Sequence, residues 1–118
     1  MNEKKIQKFL RIKYIREMER FINRVVNYLN TNENLEKSRF LDFVEEKFQK
    51  VKECQKVYLS KGYAKELEKF VFKISSLTQK QEMEELKNDI LYQANRLRKS
   101  KRLRSYQKEK YKKFDEEF

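Results

Sequence analysis

The sequence predicts an all-α protein, an up-down bundle of four helices with a long, basic C-terminal helix. Proline is absent and Gly62 is the sole glycine, so the two residue types that most often interrupt helices are almost missing. Apolar side chains recur at steps of three and four residues along most of the chain, which is the period of a helix that buries one face. A chain of 118 residues, 38% apolar and 42% charged, predicts one domain with a lean core.

The first helix is predicted to run from about Lys4 to Leu29. Its apolar stripe combines a central line with one flank of aromatic residues: Ile15, Met18, Ile22, Val25 and Leu29, with Tyr14, Phe21 and Tyr28. The polar segment 30–34 should end this helix, because short polar side chains compete for backbone hydrogen bonds and favour turns and caps.

The second helix is predicted to start near Leu35 or Arg39, with Asn34 or Ser38 as its N-cap. Its inward stripe is expected to extend almost to the glycine: Leu41, Val44, Phe48, Val51, Cys54 and Tyr58. Gly62 would then follow where helices often stop on a left-handed residue.

The third helix is predicted from Tyr63 to about Leu77, with Leu67, Phe70, Ile74 and Leu77 facing inward. Thr78 and Gln81 form a capping-box pattern that should open the fourth helix. The inward residues of that helix are expected to be Met83, Leu86, Ile90, Ala94 and Leu97.

The fourth helix has no stop signal at its last inward residue, and helical composition continues to about Phe114, giving a length of roughly 50 Å. Its later apolar residues fall about a quarter turn or more away from the earlier line. Either the helix breaks near Ser100 or its second half packs on something different. We therefore divide the single domain into a bundle core (1–97) and a basic helical extension (98–118).

The excess charge lies at the two ends of the chain. Residues 17–95 carry 14 basic and 14 acidic side chains, whereas residues 1–16 carry six basic and one acidic, and residues 96–113 carry ten basic and one acidic. Three acidic residues at 115–117 bring the total to +11. In an up-down bundle the start of the first helix and the end of the fourth share one pole, so the two clusters are expected to merge.

Such a pole predicts a nucleic-acid partner, DNA or RNA, bound non-specifically through phosphate contacts. Arginine and lysine grip phosphate oxygens, and such contacts carry no base sequence information. The candidate residues are Lys4, Lys5, Lys8, Arg11, Arg96, Arg98, Lys99, Lys101, Arg102, Arg104, Lys108 and Lys112. Lys13 and Arg16 complete the N-terminal cluster. A solvated basic surface with no ligand is the plain alternative.

A second hypothesis is a helical adaptor, chaperone or assembly subunit without catalytic activity. Its candidate surface is the rotated apolar stripe of the extension, which would have no intramolecular cover beyond the bundle: Leu103, Tyr106, Tyr111 and Phe114, with Phe118 at the end. Docking of a protein partner, or self-association, would follow. A basic amphipathic helix on anionic lipid is a less favoured interpretation of the last twenty residues, because their apolar face is narrow and short.

The composition argues against an enzyme. Histidine is absent, which removes His-based zinc sites and Ser-His or Cys-His nucleophile pairs, and one glycine makes no phosphate-cradling loop. We expect no cofactor and no metal, and we expect Cys54 to be a small, buried hydrophobic residue. The single cysteine, the lack of an apolar leader and the lack of a long apolar run predict a cytoplasmic protein without a membrane span.

Overall fold

The computed structural model describes residues 3–59, 62–76 and 82–116, with side chains as far as Lys101. These residues form four α-helices: α1 (Glu3–Thr31), α2 (Lys37–Glu53), α3 (Tyr63–Ser75) and α4 (Met83–Glu116). No strand occurs in the described ranges, and the helices pack against one another. The predicted all-α bundle with a long C-terminal helix is confirmed.

Successive helices run in opposite directions. Tyr28, late in α1, stacks on Phe43, early in α2, with ring centroids 4.4 Å apart, whereas Phe21 meets Phe48 further along α2 at 5.8 Å. Lys73 near the end of α3 lies 3.7 Å from the carboxylate of Asp89 near the start of α4. α1 and α3 each contact the other three helices, so they form the centre of the bundle.

The core contains most of the predicted inward residues. The predicted residues that are buried are Met18, Ile22, Val25, Leu29, Val44, Phe48, Val51, Leu67, Phe70, Ile74, Leu86, Ile90 and Ala94, with Tyr14 and Phe21 from the aromatic flank. Five others are half-buried and pack against this cluster: Ile15, Tyr28, Cys54, Met83 and Leu97. Each large apolar side chain that leaves water stabilises the fold by roughly 1.5–3 kcal/mol, which makes this cluster the main source of stability.

The predicted end of the first helix is confirmed by its hydrogen bonds. α1 ends at Thr31, whose hydroxyl donates to the Asn27 carbonyl at 2.8 Å. The Asn32 side-chain amide donates to the Tyr28 carbonyl, also at 2.8 Å. These polar side chains satisfy carbonyl groups that the last turn of a helix leaves without partners.

The predicted end of the second helix is wrong. α2 ends at Glu53, and Cys54 leaves the helix with φ −76° and ψ 143°. In the following non-helical segment Val57 is half-buried, Tyr58 is 85% exposed and Leu59 is 3% exposed. This alternation is the period of extended chain rather than of a helix. Burying Leu59 instead of Tyr58 therefore favours a connection that leaves α2 early.

The predicted start of the second helix is also wrong in detail. α2 is preceded by Glu36 at the N-cap, with no side-chain cap hydrogen bond, rather than by Asn34 or Ser38. Phe40 is fully buried against the ring of Tyr28, with centroids 5.9 Å apart, while Leu41 is only half-buried. Phe40 lies four residues before the buried Val44, so the two side chains share the inward face of α2.

The last two helices follow the prediction where they are described. α3 begins at Tyr63, directly after Gly62, whose φ of 89° lies in a region open to glycine. Leu77 and the capping-box residues Thr78 and Gln81 lie outside the described residues. α4 is one continuous helix with no break at Ser100. No helix in the described part of the chain has the length and apolar character that crossing a membrane requires.

Candidate functional site

The first eleven described residues of α1 form a helical arm that projects from the bundle core. From Glu3 to Lys13 every side chain is exposed except Leu10, which is half-buried, and the first buried residue of the helix is Tyr14. A helix of this length is marginal in water without packing, so the arm depends on continuity with the rest of α1. We call residues 3–13 the basic arm.

The basic arm presents cations that the bundle does not neutralise. Five exposed side chains of the arm and the next turn make no ion pair with described residues: Lys5, Lys8, Arg11, Lys13 and Arg16. The next two carboxylates along α1 are already engaged, since Glu17 binds Arg20 at 2.6 Å and Glu19 binds Lys101. These five cations are thus available to an anion from outside.

Apolar side chains lie among these cations. Phe9 is 65% exposed, and Ile6 and Ile12 are 40% and 39% exposed. The sequence prediction did not identify these three residues as a surface feature, because it followed only the core-facing stripe, which begins at Tyr14. Their position around the helix could have predicted the exposure, since at about 100° per residue Phe9 lies roughly 140° from Tyr14.

Of the three predicted cations at residues 96–99, two contact described side chains and one does not. Arg98 donates to the side-chain oxygen of Asn23 at 3.5 Å, and the Arg96 guanidinium lies 6.0 Å from the ring centroid of Tyr92. Lys99 is exposed and has no such contact among the described residues. These cations are therefore not equivalent, and only part of the predicted set is unengaged.

Lys101 is a structural cation that fastens α4 to α1 and α3. Its Nζ lies 2.5 Å from Glu19 Oε2 and 5.7 Å from the ring centroid of Tyr63. The Tyr63 hydroxyl donates to the same Glu19 oxygen at 2.8 Å. Burial, followed by this hydrogen bond, raises the pKa of Tyr63 above its ordinary value, so the phenol stays a proton donor. The three side chains fix the helix at the root of the extension.

The remaining predicted site residues have side chains outside the described part of the structure. They are the cations Arg102, Arg104, Lys108 and Lys112 and the apolar residues Leu103, Tyr106, Tyr111 and Phe114. α4 continues as a helix through all of them to Glu116. Their assignment to nucleic acid or to a protein partner stays a prediction.

A buried carboxylate was not anticipated from the sequence. Glu68 of α3 is 6% exposed, accepts a hydrogen bond from the Tyr14 hydroxyl at 2.8 Å and pairs with Lys65 at 3.1 Å. Burial, and then the hydrogen bond to Glu68, raise the pKa of Tyr14 above its ordinary value. Both partners satisfy the carboxylate inside the bundle, so this cluster joins α1 to α3.

The groove between α3 and α4 does not concentrate one charge as the basic arm does. The groove between α3 and α4 is lined by both signs, including the Lys73–Asp89 pair, with Phe70 at its base and Tyr92 at its edge. In the described ranges, no three Cys, Asp or Glu side chains come close enough to hold a metal ion. The basic arm therefore stands out as the candidate interface.

Comparison of the chain with protein-family models, with curated proteins and with solved structures finds no match.

Proposed function

We propose that this protein binds nucleic acid non-specifically, through phosphate contacts made by the basic arm and by the basic C-terminal part of α4. The observation that carries the proposal is the arm itself, a largely exposed helix in which Lys5, Lys8, Arg11 and Lys13 make no ion pair with described residues. A phosphate backbone supplies the missing negative charge and releases its own counterions on binding.

The charge pattern of the arm favours an anionic partner on energetic grounds. Lys5 and Lys8 are three residues apart, as are Lys8 and Arg11, so like charges are neighbours on the helix surface. Each such pair destabilises an exposed helix by about 0.2–0.5 kcal/mol. Because no packing in the described structure offsets this cost, an anion along the arm would stabilise its helical form.

The direction of α4 supports a contribution from its C-terminal part. Lys101 of α4 lies beside Glu19 of α1, and Arg98 lies beside Asn23, so α4 approaches the arm end of α1 as its residue numbers rise. The helix then continues for a further 15 residues, to Glu116. Lysine and arginine along both helices would position a phosphate backbone without reading bases.

The test is binding of fluorescently labelled DNA and RNA oligonucleotides, followed by anisotropy across a salt series. The arm variant is Lys5→Glu/Lys8→Glu, and the control is Lys50→Glu/Lys69→Glu, which changes the net charge equally. All four lysines are exposed and make no ion pair among the described residues. This choice avoids Lys101, whose loss would also disturb the contact with Glu19.

We expect wild-type affinity to fall steeply with salt. Losing two phosphate contacts should lower the log–log slope by about 1.8 on duplex and about 1.4 on a single strand. The control should keep the wild-type slope, because Lys50 and Lys69 lie on α2 and α3, outside the basic arm and α4. Equal slopes for the two variants, or wild-type binding that is absent at about 50 mM salt, would contradict the proposal.

The adaptor hypothesis remains the second candidate, because the exposed Phe9 and Ile6 show that apolar surface lies at the arm end of the bundle. Its own surface is the stripe that includes Leu103 and Tyr106. Light scattering at several concentrations tests its simplest form, self-association. A mass that rises with concentration in the wild type, and not in Leu103→Ser/Tyr106→Ser, would favour it. A constant monomer mass would count against self-association.

A further inference from the structure

We propose that Phe9 is a stacking platform for unpaired bases, so that the protein prefers single-stranded DNA or RNA to duplex. This inference rests on the proposed function, because the arm cations supply the phosphate contacts that bring a strand to the ring. It adds a substrate class, the single strand, and a residue outside the cationic set.

The position of Phe9 on α1 keeps it away from the core. At about 100° per residue it lies roughly 140–180° from the buried residues Tyr14, Met18 and Val25. Its 65% exposure agrees with this geometry. Among the described side chains the ring therefore has no place in the core, and a large aromatic surface is left open to a ligand.

The neighbours of Phe9 combine cations with apolar side chains. Residues three and four apart are neighbours on a helix surface. For Phe9 these neighbours are Lys5 and Lys13 at four residues and Ile6 and Ile12 at three residues on either side, with both isoleucines about 40% exposed. A base on the ring would thus have a lysine on each side for its flanking phosphates.

This interleaving favours a single strand over the other polyanionic surfaces. Single-strand binding proteins combine a cationic track with aromatic rings on which bases stack in a sequence-tolerant way. The bases of a duplex are already stacked on one another and leave no free face for Phe9. Helices that lie on membranes separate a cationic face from an apolar face, whereas Lys5, Phe9 and Lys13 lie within about 80° of one another on the arm.

The test compares Phe9 variants on matched oligonucleotides, in the full-length protein at one fixed salt concentration. Phe9→Ala removes the ring, and Phe9→Tyr keeps an aromatic face. Tyr92→Ala is the control, since Tyr92 is 64% exposed on α4 and lies beside Asp89 in the groove with α3. Circular dichroism is used to check that each variant is folded. Because both rings are exposed, we expect all three variants to fold.

We expect Phe9→Ala to weaken single-strand binding about 5- to 140-fold, which is the loss of one base–aromatic stack. Duplex binding should change less than about twofold, and Phe9→Tyr and Tyr92→Ala should resemble the wild type. Equal weakening on both substrates, or none on the single strand, would overturn this inference while leaving the arm cations and the proposed function intact. Absence of all wild-type binding would instead remove both.

The last part of the test measures binding to anionic vesicles of phosphatidylserine in phosphatidylcholine. Vesicle binding that requires Phe9, together with single-strand binding that does not, would assign the ring to lipid and overturn the inference. Vesicle binding that is unaffected by Phe9→Ala, beside single-strand binding that depends on it, would support stacking.

Discussion

Removal of one hydroxyl group, in Tyr14→Phe, should measurably destabilise the bundle. The Tyr14 side chain is 2% exposed, and its hydroxyl donates at 2.8 Å to the carboxylate of Glu68, which is 6% exposed. Phenylalanine retains the ring, so no large cavity forms. The loss is therefore a buried hydrogen bond to a charged acceptor, worth about 1.5–3 kcal/mol. For a domain of this size that corresponds to a fall in Tm of roughly 6–12 °C.

The assay is urea unfolding monitored by circular dichroism at pH 7. Tyr92→Phe is the matched control, because its ring is 64% exposed and it should unfold within about 0.5 kcal/mol of the wild type. A cycle with Glu68→Gln isolates the pair, and we expect a coupling free energy of about 0.5–3 kcal/mol. If Tyr14→Phe unfolds within about 0.5 kcal/mol of the wild type, the Tyr14–Glu68 bond does not stabilise the fold and the reasoning fails.

Three further predictions concern the α2–α3 connection and the Lys101 cluster. Leu59→Ala should lower the free energy of unfolding in urea by about 2–4 kcal/mol, and Tyr58→Ala should lower it by less than about 0.5 kcal/mol. A larger loss for Tyr58→Ala would instead indicate that α2 continues as a helix into the connection. Glu19→Ala should cost about 1–2 kcal/mol by the same assay, because Tyr63 and Lys101 both lose their acceptor; no change would show that neither contact stabilises α4. Because Tyr63 holds its proton more strongly when folded, stability should fall as pH rises above the ordinary tyrosine pKa of about 10, and Tyr63→Phe should lessen that fall; alkaline unfolding curves identical to the wild type would contradict this.

The helices were predictable because each buries one regular stripe. The period of three and four residues identified buried residues such as Val25, Val44 and Ile90 without any knowledge of tertiary contacts. The lack of a stop signal after Leu97 likewise predicted helical chain to about Phe114, with a break near Ser100 left open, and α4 continues unbroken to Glu116. The local residue pattern is sufficient to predict a helix where one face of that helix packs on the core.

The connections and the polar contacts were not predictable in the same way. Tyr58 and Leu59 are adjacent apolar residues, and the path of the chain from α2 to α3 determines which of them is buried. The burial of Glu68 requires Tyr14, which is 54 positions distant in sequence, to approach with its hydroxyl. A local pattern contains no information on such pairs, since they depend on how α1 and α3 cross.

Among the predicted phosphate ligands, Lys5 and Lys101 differ in whether the fold gives them an ion-pair partner. Sequence position grouped Lys101 with Lys5 as equivalent phosphate ligands, whereas the fold gives Lys101 a carboxylate partner and leaves Lys5 without one among the described residues. Substitution at Lys101 therefore changes the anchoring of α4 together with its charge. Substitution of Lys5 changes charge without removing a buried contact, because its side chain is exposed and no described residue of α1 before Tyr14 is buried. Stability and the proposed binding thus reside in different residues of α1, so a binding defect caused by Lys5 or Phe9 variants would report on the ligand rather than on folding.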